Sequence, residues 1–268
     1  TDRQKILNAT NEKGKAAIHC AFEQNNPDIV RALVQSGADL TMLANDDDGS
    51  NPFHLAAQHD SAKCIQAVHH RGNDFENLSA VEHQKIQKAL DAPNKTGFTP
   101  LMFTVKGGFI DSTMSLLQAD ANPNVQHVES GNTALHFAVE RGDALVLKAL
   151  IVFGGNIFIQ NKEGKTPLDL ALGATEGDPK GCIKILQEIT DLTKKANDIY
   201  ASAQKLPDIA TDSVFLLCLD GGGVRGLLSL QILMAIRNRM KQIQPDCAPL
   251  HEHFDYIAGT SIGGLITL

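Results

Sequence analysis

Gly131 to His136 read G-N-T-A-L-H, and variants of this phrase return along the chain: G-K-A-A-I-H from Gly14, G-S-N-P-F-H from Gly49, G-F-T-P-L-M from Gly97 and G-K-T-P-L-D from Gly164. Successive phrase glycines are 35, 48, 34 and 33 residues apart. A fixed period of this size is the mark of a repeat array, in which each unit buries its apolar face only against its neighbours. After the phrase comes an apolar run at helical spacing and then a turn. Examples are Ile29, Val30, Leu33 and Val34 before Gly37-Ala38-Asp39, and Leu145, Val146, Ala149 and Leu150 before Gly154-Gly155-Asn156. The physics agrees with two helices per unit. Thr or Asn caps a helix, Pro suits its first turn, and Gly takes the left-handed turn at its end.

The period of about 33 residues and the T-P-L-H-like phrase resemble ankyrin repeats. About five of them are expected over residues 1–192, forming an all-α solenoid. The gap of 48 carries roughly fifteen extra residues. They are placed within Phe75 to Asp91, where Val81, Ile86 and Leu90 suggest an additional helix. Met102 and Asp169 stand where the phrase has histidine, and Ala16-Ala17 replaces Thr-Pro, so the first and fifth repeats are expected to be the less regular ones. His19, His54 and His136 belong to the phrase and read as structural. Residues 173–181, G-A-T-E-G-D-P-K-G, form a polar insertion in the fifth repeat. Residues 193–212 lose the repeat and show no clear apolar face, and they are taken as a linker whose composition leaves helix and coil both open.

From residue 213 the character changes. Val214 to Leu219 is a short continuous apolar run, as in a buried parallel strand. Asp220 closes it, Gly221, Gly222 and Gly223 follow, and after Arg225 and Gly226 the residues Leu227, Leu230, Leu233 and Met234 have helical spacing. Strand, glycine loop and helix start in succession make an anion site, because consecutive backbone N–H groups point inward in front of the helix dipole. Further on, Phe254 to Ala258 reads as a second strand and Gly259-Thr260-Ser261-Ile262-Gly263 is G-x-S-x-G. A nucleophile on a strand-to-helix turn needs small neighbours, here Gly259 and Gly263, so Ser261 is the candidate nucleophile. Other readings stand beside this one. Gly221 to Gly226 also fits G-x-G-x-x-G, the dinucleotide fingerprint, although that pattern wants an acid closing the next strand. A plain turn is the third reading of the glycines, and a serine at a helix start is often only a cap. Arg225 is a candidate for a substrate phosphate and equally a solvated loop residue. His251 and His253 invite a triad, and Asp220 and Asp255 are acids by position that more simply order their own turns.

D-G-G-G-V-R-G followed by G-T-S-I-G-G resembles the patatin-like lipid acyl hydrolases, and with the ankyrin repeats the pattern resembles the calcium-independent group VI phospholipases A2. The resemblance implies the start of an α/β domain with a parallel sheet over residues 213–268, and a Ser–Asp dyad in place of a triad with histidine. Ser261 would attack the sn-2 ester of a glycerophospholipid, and the N–H groups of Gly221, Gly222 and Gly223 would hold the oxyanion. The general base of the family lies in a D-G-G or D-G-A motif, and no such motif follows Ser261 before Leu268. The chain therefore reads as a fragment, expected to be inactive by itself. The resemblance also implies control by calmodulin through sequence outside these residues. A different class remains: an ankyrin scaffold that binds a protein partner or a second copy, with an inactive or nucleotide-binding glycine-rich end.

Composition narrows the classes. The net charge of −7 argues against a nucleic-acid surface. From Val214 onward four acids (Asp220, Asp246, Glu252, Asp255) balance four bases (Arg225, Arg237, Arg239, Lys241), so the acidity belongs to the repeats. Five scattered cysteines without a C-x-x-C pair favour reduced thiols over disulfides or a zinc site, and with them a cytoplasmic setting. No apolar run is long enough to span a bilayer, so lipid contact is expected to be peripheral. No cofactor or metal is called for.

Overall fold

In a computed structural model of the chain, residues 2–45, 48–69, 80–173, 179–203, 216–219 and 256–259 are described. The chain divides into two compact units, Thr1–Lys180 and Gly181–Leu268.

The first unit is helical: α1 (Asp2–Leu7), α2 (Ala17–Glu23), α3 (Pro27–Gln35), α4 (Pro52–Gln58), α5 (Ala62–His69), α6 (Ala80–Asp91), α7 (Pro100–Gly107), α8 (Ile110–Gln118), α9 (Ala134–Glu140), α10 (Ala144–Val152) and α11 (Pro167–Gly173). The phrase begins the first helix of each repeat, and the first helices stack in one layer, α2 on α4, α4 on α7, α7 on α9 and α9 on α11. The second helices stack in another, α3 on α5, α5 on α8 and α8 on α10. The core lies between the layers. Phe22, Phe53, Leu101, Leu116, Leu135 and Leu150 are fully buried there.

The caps are those the phrase predicts. Asn51 Oδ1 accepts from the His54 amide at 3.1 Å and Thr99 Oγ1 from the Met102 amide at 3.3 Å. In the fifth repeat Thr166 Oγ1 accepts from the Asp169 amide, while the Asp169 carboxylate accepts from the Thr166 amide at 2.9 Å, a reciprocal box made within one helix end. The left-handed glycine expected at a helix end is present at Gly37 (φ +92°) and Gly154 (φ +90°). Asn25, Asp60 and Asp120 adopt the same region without being glycine, which short polar side chains tolerate.

The phrase glycines carry a second requirement that their position before the helix hid. All five have positive φ, from +60° to +84°. In four of them a Cβ would collide with the next repeat: Gly14 with Asn45 (2.2 Å), Gly49 with Lys95 (2.9 Å), Gly97 with Val128 (2.9 Å) and Gly131 with Lys162 (2.7 Å). The hairpin of one repeat is laid directly over the glycine of the one before.

Three residues before the glycine, Asn11, Asn94 and Asn161 tie the hairpin together. Asn161 Oδ1 accepts from the Glu163 and Lys165 amides, both at 3.0 Å. Asn94 Oδ1 accepts from Thr96 and Phe98, and Asn11 Oδ1 from Lys13 and Lys15. Each anchor replaces backbone partners that a tight hairpin cannot supply. The two buried anchors differ on their other side. Asn161 Nδ2 donates to Asn132 Oδ1 at 2.9 Å. In the earlier repeat Ser50 occupies the place of Asn132, and Asn94 Nδ2 is buried with no partner among the described residues.

The inserted residues do add a helix. α6 runs from Ala80 to Asp91, with Leu90 buried, as Val81, Ile86 and Leu90 suggest. It ends in polar contacts to the fourth repeat: Asp91 Oδ1 accepts from the Asn122 amide at 2.8 Å, and Gln87 Nε2 donates to the Asp120 carbonyl at 2.7 Å. Residues 70–79 and 174–178, which include parts of the two expected insertions, lie outside the described residues.

The second unit begins within α12 (Lys180–Ala203), a continuous helix of 24 residues. Cys182, Ile185, Leu186 and Ile189 form its buried stripe at helical spacing. It passes the point where the sequence marks a linker at 193, and it is helical to Ala203. The rest of that segment, 204–212, lies outside the described residues. Two strands follow, β1 (Leu216–Leu219) and β2 (Tyr256–Gly259).

Candidate active site

The strands β1 and β2 are the apolar runs L-L-C-L and Y-I-A-G. They pair directly and in parallel, in the register Leu216 with Tyr256, Leu217 with Ile257, Cys218 with Ala258 and Leu219 with Gly259. Parallel neighbours cannot be joined by a tight turn and need a crossover, for which residues 220–255 give ample length. Because Leu219 and Gly259 are partners, both strands end level, and paired strands run about 4.8 Å apart. The chain leaves β1 into Asp220 and the three glycines, and leaves β2 into Thr260 and Ser261. The two stretches singled out from the sequence, 40 residues apart in the chain, thus follow strands that end at one edge of one sheet, the carboxyl edge at which open α/β sheets bind ligands.

Of the residues singled out from sequence, Gly259 is the last residue of β2. Ser261, Gly221, Gly222, Gly223, Arg225 and Gly263 lie outside the described residues, as do Asp220, Asp255, His251 and His253.

The phrase histidines are structural, as their place in the repeat suggests. Each accepts the N–H of its own helix cap on Nδ1 and reaches across to the next repeat with Nε2: His19 to the Met42 carbonyl (3.0 Å), His54 to Phe98 (2.9 Å) and His136 to Lys165 (3.1 Å). Burial holds the His136 imidazole below its ordinary value, partly offset by the Lys165 carbonyl. The third repeat has Met102 instead, so its phrase has no imidazole to reach forward at that junction. There the bond runs backward: His127 Nε2 meets the Thr96 carbonyl at 2.9 Å, and its Nδ1 accepts from the Ser130 amide at 3.2 Å. Sequence reasoning missed His127, which sits where other repeats carry the asparagine anchor.

Around His127 the third and fourth repeats gather aromatic rings. Phe98 lies 4.3 Å from the His127 ring, 5.2 Å from Phe103 and 5.5 Å from Phe137, with Lys106 Nζ 4.7 Å from its centroid. Phe98 and Phe103 are half-buried. Nearby, the Arg141 guanidinium donates to the Lys106 carbonyl at 3.0 Å, capping the end of α7. Burial raises the Glu140 carboxyl, against the pull of Asn132 and Lys106. Among the described residues there is no cluster of three metal-ligating side chains, and no helix is long and apolar enough to cross a membrane.

Comparison with known proteins follows the same division. A family model of ankyrin repeats in three copies matches residues 3–79, a second of ankyrin repeats in many copies matches 116–171, and one of patatin-like phospholipase matches 217–268. The crystal structure of the ankyrin repeat domain of Bcl-3 is similar with a TM-score of 0.52 at 26% identity, over 62% of this chain and 68% of that one. Patatin-like protein 1 of Oryza sativa subsp. indica is 50% identical over 54 residues, 20% of this chain and 13% of its own length. The intracellular phospholipase A2 of Caenorhabditis elegans is 28% identical over 244 residues, covering 71% of this chain and 22% of that protein. The chain spans about a third or less of the length of the first curated relatives it matches. Its repeats and its two strands together make it an ankyrin-repeat array followed by the beginning of a patatin-like phospholipase domain, similar to intracellular phospholipase A2.

Proposed function

We propose that the chain carries the nucleophile and oxyanion half of a phospholipase A2, in which Ser261 takes the acyl group from the sn-2 ester of a glycerophospholipid. The observation that carries the reading is the register of β1 and β2, which starts the glycine loop and the G-T-S-I-G turn level with each other on neighbouring strands. The match of residues 217–268 to the patatin-like phospholipases supports it. β2 ends in Gly259, where a dinucleotide-binding sheet would want an acid, and this favours the hydrolase reading over the nucleotide one.

The chemistry follows from those parts. The serine hydroxyl attacks the ester carbonyl and its proton passes to an aspartate base supplied by the rest of the domain. Negative charge develops on the carbonyl oxygen, where the N–H groups of Gly221, Gly222 and Gly223 stabilise it. The ester C–O bond breaks as the aspartate gives the proton to the departing lysophospholipid oxygen, and water, losing a proton to the same base, then attacks the acyl-serine, which releases the fatty acid and regains its hydroxyl proton. Such a dyad uses no calcium. Arg225 is proposed to meet the substrate phosphate, and the enzyme to work from the cytoplasm on the membrane surface. The test is Ser261→Ala in the protein with its whole phospholipase domain. Hydrolysis of sn-2 esters should be abolished with the fold intact, and retained hydrolysis would refute the assignment. Labelling by a fluorophosphonate should disappear with the same substitution.

The repeats are proposed to bind protein. The half-buried Phe98 and Phe103 support this, since aromatic side chains are enriched in interface cores.

A further inference from the structure

The third repeat departs from the others at two places that face each other. One residue after the phrase glycine, and eight residues further on, stand Lys15 and Glu23 in the first repeat and Asn132 and Glu140 in the fourth. These pairs close on themselves. The Lys15 ammonium meets the Glu23 carboxylate, and Asn132 Nδ2 donates to Glu140 Oε1 at 2.9 Å. In the third repeat the same places hold Phe98 and Lys106, the one aromatic ring at the first place and the one cation at the second among the five phrases. Lys106 Nζ thus lies over a ring, 4.7 Å from its centroid, and forms no ion pair among the described residues.

The fourth repeat brings a second cation to the same ring. Arg141, exposed, donates from Nη1 to the Lys106 carbonyl at 3.0 Å, and its other N–H groups have no acceptor among the described residues. Gly108 makes room for it: φ is +77°, and a Cβ there would run into Arg141 Nη2. Glu140, the acid whose charge reaches Lys106, is turned to Asn132 and pairs with neither cation among the described residues. The ring itself is fixed in place. Phe98 packs on the buried His127, its amide is bonded to Asn94 Oδ1 at 3.0 Å, and its carbonyl accepts from His54 Nε2 at 2.9 Å. A site ordered before its ligand arrives binds at lower entropic cost.

Two cations with unused donors beside half-buried rings are complementary to a carboxylate that adjoins an apolar side chain: the fork takes the anion and the rings take the anchor. The net charge of −7 disfavours the other large anionic partners, a nucleic acid or an anionic bilayer. We infer that the third and fourth repeats bind a linear acidic segment of a partner protein, with a carboxylate on Lys106 and Arg141 and the neighbouring aromatic or aliphatic side chain on Phe98 and Phe103. The inference rests on the reading of the repeats as a protein-binding element and gives the chemistry of the partner.

The probe is a phage-displayed library of random linear peptides, selected on the whole protein, phospholipase domain included. Enriched peptides should carry Asp or Glu beside Phe, Tyr, Trp or Leu. One of them, dye-labelled, should bind with a dissociation constant on the order of 10 µM by fluorescence anisotropy. Lys106→Glu should weaken it about tenfold or more with an unchanged thermal melt, because like charges then face each other. Arg141→Gln should weaken it too, and Lys106→Glu should gain affinity for the same peptide with its acids changed to lysine. Enriched peptides without acids, or a chain that binds phosphatidylserine vesicles through Lys106 and no acidic peptide, would overturn the proposal. A peptide that binds the array and ignores Lys106→Glu overturns this site alone and leaves the repeats as a binding element. A wild type that enriches no peptide over bare plastic overturns the site and counts against that reading as well.

Discussion

Asn94 and Asn161 offer a matched pair in which the same substitution should have different costs. Both anchor a hairpin and both are nearly buried, 7% and 9% exposed. Asn161→Ala removes two bonds from backbone amides and the bond to Asn132, each worth about 1 kcal/mol net, and leaves the Asn132 carbonyl oxygen without its partner. The expected loss is about 3 to 4 kcal/mol. Asn94→Ala removes bonds from the Thr96 amide, the Thr96 hydroxyl and the Phe98 amide, again about 3 kcal/mol in all. It also takes away a buried amide donor that has no partner among the described residues, which by itself costs about 2 kcal/mol. The net loss at Asn94 should be about 1 kcal/mol. The same carboxamide volume is deleted in both, so cavity terms largely cancel in the difference. Urea unfolding followed by far-ultraviolet circular dichroism, with equal slopes for the two variants, reads the quantity directly. Equal losses, or a larger loss at Asn94, would refute the claim that the Asn132 pair separates the two junctions.

Other outcomes follow from single groups. His136 has a folded value below its ordinary 6.5, so its contribution is complete above that pH and is lost as pH falls from 6.5 through the folded value; His136→Gln should flatten this part of a stability–pH curve. Cys64 is pushed the other way, to about 11 from 9.0, so stability from its neutral thiol is complete below 9.0 and lost as pH rises toward 11. In the native state Cys64 should resist alkylation at mildly alkaline pH, and modification at the rate of an unfolded control would count against its burial. Gly131→Ala and Gly164→Ala share the strain of positive φ, yet only Gly131 meets the next repeat, at Lys162; the first should cost more by about 1 kcal/mol or above, measured by the same urea titration.

Much of the array was legible because the phrase carries its own physics: Thr99 and Asn51 cap, Pro52 and Pro100 open a helix, and His54 and His136 read as structural. The extra helix was legible in Val81, Ile86 and Leu90. What crosses between repeats was not. Nothing local marks Gly131 as packed under Lys162, which lies a full repeat away. The anchor N-x-x-G, present at Asn11, Asn94 and Asn161, was a readable signal that went unused, and His127 broke it. The length of α12 was hidden by a weak apolar face after Ile189, although no Gly or Pro stands between Cys182 and Leu206 to stop a helix. At the candidate active site the two strands and their order were legible from apolar runs. Their direct pairing was not, since register is a property of the sheet.

The backward bond from His127 to Thr96 gives the array a grain. At the other junctions the upstream repeat supplies the imidazole, so a repeat can be exchanged for another of its kind and the tie to its successor travels with it. Between the third and fourth repeats the tie belongs to the successor. These two units must be inherited, duplicated or transplanted as a couple: replacing the fourth with a consensus repeat would leave a junction with Met102 on one side and no imidazole on the other.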